Sequence, residues 1–223
     1  MSASRWERGV PLAGVVFALL IFIGFGLIGQ VGRTSTPSAE QIDDLLTDRA
    51  PLRLFGVYLS LVAIPFLVLF SGRLYSSLRV VGSGTRWLSM VSFAGGVVAA
   101  APLLVGFAAI GQATIRADSA EGLGPDSAIV FYDLYRSLLT ASAMGFAIFI
   151  GAAAVESYRT RAFPRWLSWT SGAVAIGLVS PLFFFFVFIA IIWVLAVSVW
   201  LFREALRSPT STPSIAGTAE TGL

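Results

Sequence analysis

Ionisable side chains enter an otherwise apolar pattern at Phe131-Tyr132-Asp133-Leu134-Tyr135-Arg136. On a helix Asp133 and Arg136 are i, i+3 neighbours and can pair on one face. A carboxylate, a guanidinium and two phenols grouped in this way could hold a charged ligand or relay a proton, and ionisable residues inside a membrane are functional candidates by default. Arg53 opens a separate apolar run at the same level and is a further charged member. The candidate ligand-binding set is therefore Arg53, Tyr132, Asp133, Tyr135 and Arg136, with no catalytic or metal-binding residue among them.

Depth separates a site from a structural pair. The charge-free stretch 137–155 spans about 28 Å as a helix at 1.5 Å per residue, which nearly fills a hydrocarbon core of about 30 Å. Asp133 then lies a turn above that core, among headgroups, with Tyr132 and Tyr135 in the aromatic belt. An interfacial Asp133–Arg136 ion pair is favoured on this count, and a ligand or proton site is the alternative.

Other chemistries are closed by missing residue types. The chain has no His and no Cys, and all 15 basic residues are Arg. His-ligated haem, the usual His-based metal sites, Ser–His hydrolysis and thiol redox chemistry are thereby excluded, as is a lysine Schiff base. No phosphate-binding loop of the G-x-x-x-x-G-K-[ST] type occurs. Tyr132-Asp133 has the form of one half of a membrane aspartyl protease motif. Its only partner, Gly122-Leu123-Gly124-Pro125-Asp126, sits in the adjoining loop, whereas two carboxylates that share a proton must meet from facing elements. Neither an enzyme nor a cofactor is expected.

The elements that must carry these residues follow from hydropathy and charge. With 57% hydrophobic and 12% charged residues, the chain lies far from the soluble average of about 25% charged. Apart from the polar Gln30, uncharged windows run over 9–32, 54–72, 87–115, 137–155 and 166–202. The last would be about 55 Å long as one helix, so it is read as a hairpin that turns near Ser180-Pro181, where proline breaks the helix. The fold class is all-α: a bundle of six transmembrane helices over about 10–31, 54–72, 88–112, 130–155, 165–180 and 183–202, followed by a disordered tail over 208–223. The first window exceeds the h-region of a signal peptide and is read as a retained helix.

Arginine gathers in alternate connections and acids in the others. Arg73, Arg79 and Arg86 follow the second span, and Arg159, Arg161 and Arg165 follow the fourth. Segments 32–53 and 113–127 are net acidic. The positive-inside rule then puts both termini in the cytoplasm. The pI near 9.8 thus reflects membrane orientation, and no nucleic-acid partner is expected.

Smaller features have bland readings beside sharper ones. Thr36-Pro37, or Ser38 with Gln41 as a capping box, can cap a short helix that puts Ile42, Leu45 and Leu46 on one face. A helix resting on headgroups is favoured there over a lid on an extracellular cavity. Pro65 and Pro102 free carbonyls that are usually satisfied locally, and Gly82-Ser83-Gly84-Thr85-Arg86 reads as a turn more than an anion nest. Ala143/Ala147/Gly151, Gly95/Ala99 and Gly96/Ala100 are small-residue ridges for packing within the chain or between copies. Phe183-Phe184-Phe185-Phe186 reads as lipid-facing anchorage. There is no internal repeat of the transporter type.

Three phrases carry a family resemblance: Thr36-Pro37-Ser38-Ala39-Glu40-Gln41-Ile42, Arg73-Leu74-Tyr75-Ser76-Ser77-Leu78-Arg79 and Phe163-Pro164-Arg165-Trp166-Leu167-Ser168-Trp169. In these the chain resembles uncharacterised six-span membrane proteins of actinobacteria, grouped as domains of unknown function. The resemblance implies the topology and the bacterial plasma membrane, and it brings no activity. The expected role is a non-enzymatic multi-pass membrane component whose partners are the lipid bilayer and a second copy or another membrane protein. The alternative is a transporter or ligand-binding protein for a small solute or lipid, with its polar site at the outer end of the fourth helix.

Overall fold

A computed structural model describes residues 12–29, 38–81, 86–119, 122–180 and 183–207. These residues form seven helices and no strand: α1 Leu12–Ile28, α2 Ala39–Thr47, α3 Ala50–Val81, α4 Arg86–Ala117, α5 Pro125–Thr160, α6 Arg165–Val179 and α7 Phe183–Arg207. α3, α4, α5 and α7 are long and apolar enough to cross a membrane. α1 is apolar over 17 residues and α6 has 15 residues, which makes them about 26 Å and 22 Å long. The hairpin turn expected near Ser180-Pro181 falls between α6 and α7, with Ser180 as the C-cap of α6.

The long helices outrun the charge-free windows that marked them. α3 continues past Arg73 and Arg79 to Val81, and α5 continues past Glu156 and Arg159 to Thr160. α5 also begins at Pro125, five residues before the expected start, because proline at the first helical position gives up no hydrogen bond. A charge ends the hydrocarbon window without ending the backbone ladder, so segments read as connections are largely helical. Pro65 and Pro102 lie inside continuous helices. The Gly82–Thr85 turn, residues 1–11, 30–37 and the 208–223 tail fall outside the described residues, as do the side chains of Phe183–Phe186.

The six longer helices close into a ring. α1 packs on α3, α3 on α4, α4 on α5, α5 on α6, α6 on α7, and α7 returns to α1. Phe149 of α5 sits on the inside of the ring, fully buried. Its ring meets Phe70 of α3 edge-on at 6.0 Å and Trp193 of α7 edge-on at 5.8 Å, the quadrupole-favoured geometry. Beside it, Phe17, Ile21, Phe25, Leu103, Phe146 and Ile191 enclose about 30 Å³, the room of a single water molecule. The lining of this space is aromatic and aliphatic apart from Ser142.

Small residues set how closely the helices approach, most of all between α4 and α5. A Cβ placed on Gly145 would lie 2.6 Å from Ala99 Cα, and one placed on Gly95 would lie 2.5 Å from Phe149 N. The backbones are therefore in contact. The hydrogen bonds across this seam are reciprocal: Ser92 Oγ donates to the Phe149 carbonyl and Ser142 Oγ to the Ala99 carbonyl, each at 2.9 Å. The sequence spells the relation twice, as Ser92-x-x-Gly95-x-x-x-Ala99 and Ser142-x-x-Gly145-x-x-x-Phe149. The remaining ridge residues are also spent inside the chain, Gly96 against Ser71 and Gly151 against Ala175. Two more polar contacts tie α6 in: Ser157 and Ser168 share a hydrogen bond at 3.0 Å, and Trp193 Nε1 donates to Ser171 Oγ at 2.6 Å.

This packing makes a paired prediction. Gly145→Ala forces α4 and α5 apart and lowers stability by about 1–3 kcal/mol, the usual cost of overpacking. Gly26→Ala, whose new methyl meets nothing within 4 Å, leaves stability unchanged or raises it by up to about 1 kcal/mol through helix propensity. Thermal melts of the two variants in one detergent check both outcomes.

Candidate functional site

The polar site lies at the end of the bundle where α1 finishes and α3 begins, beneath α2. The α2 helix starts as its sequence demands. Ser38 Oγ accepts from Gln41 N at 3.3 Å, and Gln41 Oε1 accepts from Ser38 N at 3.1 Å. This completes the capping box and satisfies two otherwise orphaned donors. Ile42 and Leu46 are fully buried, and α2 packs on α4 and α5. The expectation that α2 rests on headgroups is therefore corrected: its apolar face is spent on the bundle, as a lid requires. Two side chains on one short helix suffice because each buried leucine or isoleucine contributes about 1.5–3 kcal/mol.

The chain turns from α2 into α3 through Asp48 and Arg49, with Arg49 in the left-handed region at φ 53°. That sharp turn sets Arg53 in the first turn of α3, where it is 6% exposed. Its Nε donates to the carbonyl of Ile28, the last residue of α1, at 2.9 Å. The last carbonyls of a helix lack intrahelical partners and lie at the negative end of its dipole, so a guanidinium is a fitting cap. Gly29 follows with φ 73°, the usual left-handed glycine after a helix end. The close approach needed for the bond comes from Gly24 and Gly56. A Cβ on Gly56 would lie 2.9 Å from the Gly24 carbonyl oxygen.

Arg53 Nη1, by contrast, is buried without a hydrogen-bond partner. Arg53 as a residue also lines a cleft of about 720 Å³, together with Gln41, Asp44, Leu45, Thr47 and Asp48. The cleft thus sets one buried cation beside two carboxylates. A zwitterionic or hydrogen-bonding solute matches that charge pattern.

The other candidates part company. Tyr132 and Tyr135 are 6% and 4% exposed, whereas Asp133 and Arg136 face away from the bundle. The placement of the tyrosines in an outward aromatic belt is corrected. Among the described residues Asp133 and Arg136 form no ion pair within 4 Å; the Arg136 guanidinium lies 6.0 Å from the centre of the Tyr132 ring. Nor does any bond join Arg53 to Asp133 or Arg136 among the described residues. The signal for the tyrosines is present in the sequence: Ala128, Tyr132, Tyr135, Leu139, Ser142, Phe146 and Phe149 recur at helical spacing and form the buried stripe of α5. Tyr135 stacks near Phe107 at 6.0 Å, and its hydroxyl is buried without a partner. Asp126 and Asp133 share α5 and are both exposed, so they cannot face each other across a protease site.

Comparison with protein-family models, with curated proteins and with solved structures gives no match. Function rests on the geometry alone.

A docked lid is directly testable. Leu46→Ala removes about 2 kcal/mol or more of buried contact, so amides 39–47 exchange with solvent roughly thirtyfold faster while those of α4 and α5 are unchanged. Hydrogen-exchange mass spectrometry in detergent reads this, and equal exchange in variant and parent means α2 is not held by the bundle.

Proposed function

We propose that this chain is a six-span protein of the bacterial plasma membrane, with both termini in the cytoplasm, and that it acts without catalysis through contacts with a protein partner or a second copy. The four long apolar helices support membrane insertion. The short helices α1, which is apolar, and α6 complete the ring and bring the proposed number of crossings to six. Orientation is argued from charge: Arg159, Arg161 and Arg165 flank the α5–α6 turn, while Asp43, Asp44 and Asp48 lie at the opposite end. The resemblance to six-span actinobacterial families belongs to the same reading.

The single observation that carries the non-catalytic role is the closed interior. Among the described residues the space between Phe17, Leu103, Phe146 and Ile191 is about 30 Å³ and apolar, which supports recognition at the outer surfaces and ends. One observation favours a second reading, in which the protein binds a small solute on its outer side: Arg53, with an unpartnered buried Nη1, lines the cleft under α2 beside Asp44 and Asp48.

The absence of cysteine makes topology easy to test. Single-cysteine variants at Ser38 and Ser119 react with a membrane-impermeant maleimide in intact cells, and those at Ser83 and Ser208 react only after permeabilisation. The reverse pattern inverts the topology. Native mass spectrometry of gently extracted protein then separates the roles. A stoichiometric protein partner or second copy supports the assembly reading. A lone chain carrying a solute that Arg53→Gln releases transfers the function to the α2 cleft.

A further inference from the structure

At the opposite end of the bundle, α5 turns into α6 in four residues, and this turn builds a second site. Arg161, the C-cap of α5, is held in the left-handed region at φ 55°. The turn gathers Arg159, Arg161 and Arg165 around a cavity of about 280 Å³ that Ser157, Tyr158 and Ser168 also line. No acid is among these lining residues. The cavity also faces the start of α6. The N-cap there is Pro164, and no side chain caps the helix; Leu167 N turns back to the Pro164 carbonyl at 2.9 Å, which leaves the amides of Arg165 and Trp166 without intrahelical acceptors at the positive end of the dipole. Ser157 Oγ donates to the Ala154 carbonyl at 3.0 Å and Thr160 Oγ1 to the Glu156 carbonyl at 2.8 Å, so both hydroxyls turn back on α5.

A second cavity, of about 300 Å³, adjoins the first and shares Tyr158, Arg159 and Ser168 with it. Its other walls are apolar: Ala154, Val155, Trp169 and Gly172. Tyr158 and Trp169 meet edge-on at 5.9 Å, and both stand exposed on the outer face of the bundle. A Cβ on Gly172 would meet nothing within 4 Å, so the groove is open there for want of a side chain. From Arg165 to Gly172 the groove runs about 10 Å along α6. A cationic pocket thus opens directly into an apolar furrow on the surface that faces lipid.

We infer that the α5–α6 edge binds one anionic glycerophospholipid, with the phosphodiester in the arginine pocket and an acyl chain along Val155, Trp169 and Gly172. The charge calls for an anion, since three guanidiniums without a lining acid repel a cationic ligand and gain little from a neutral one. The furrow calls for a hydrocarbon chain attached to that anion. Basic pockets between helices on the cytoplasmic side of a membrane are the expected home of anionic headgroups. The inference requires only that these helices lie in a bilayer, which the thiol labelling tests separately.

The test uses the full-length protein in a mild detergent, with phosphatidylglycerol and phosphatidylcholine of matched chains added in turn and bound lipid counted by native mass spectrometry. Phosphatidylglycerol is retained at least about tenfold more tightly than phosphatidylcholine. Arg161→Gly weakens it about fivefold, the worth of one arginine near an anionic headgroup. That variant does not lower the melting temperature, because glycine suits the left-handed backbone at this position. Arg165→Gln weakens binding likewise, and Gly172→Phe fills the furrow and weakens it without touching a charge. Equal retention of the two lipids, or unchanged binding in all three variants, overturns the proposal. Displacement of phosphatidylglycerol by millimolar glycerol 3-phosphate also overturns it, because a site that needs the acyl chain is not emptied by a bare headgroup.

Discussion

The bundle depends on the backbone contact between α4 and α5. Within a bilayer, lipid tails are as apolar as leucine, so burying apolar side chains gives helices little reason to associate. What remains is dispersion at close range and hydrogen bonds between helices, and both are concentrated where Gly95 and Gly145 let the two backbones touch. The paired serines add bonds that run in both directions across the seam. Because the relation is reciprocal, it pins the register of α4 against α5, and a slip by one turn would forfeit both hydrogen bonds together. The position of Phe149 follows from that register, and through its ring contacts with Phe70 and Trp193 so does the seating of α3 and α7.

Much of the architecture was legible before any coordinates, because membrane insertion acts on properties that a linear reading can see. The apolar windows match helices α1, α3, α4, α5 and the α6–α7 hairpin, whose turn follows from Pro181 and the excessive length of the window. The ends of α3 and α5 were misjudged for a physical reason. Hydropathy reports where hydrocarbon stops, whereas a helix stops where its hydrogen bonds find another partner. α2 was legible as a helix from its capping box. Its docking was not, since the choice between lipid headgroups and protein for the Ile42–Leu46 face depends on what the ends of α4 and α5 offer.

The candidate site was legible in its members more than in their relations. Arg53, Tyr132 and Tyr135 are buried at one end of the bundle as polar residues of consequence. Asp133 and Arg136 attracted notice through adjacency in sequence, yet one residue of helix turns a side chain by about 100°, and that rotation carries them to the outside. The partner that matters to Arg53 is a backbone carbonyl 25 residues away, and main-chain acceptors leave no mark in a sequence.

That bond between Arg53 and the end of α1 bears on how the protein is made. When α1 leaves the ribosome, its terminal carbonyls have no partner, and the guanidinium that will cap them has yet to be synthesised. α1 therefore reaches its final form only once α3 has arrived beside it, with Gly24 and Gly56 face to face. The unit that matures is the pair of α1 and α3. Without α1 the Arg53 guanidinium would lose its hydrogen bond to the Ile28 carbonyl. α1 thus serves as a structural partner of α3.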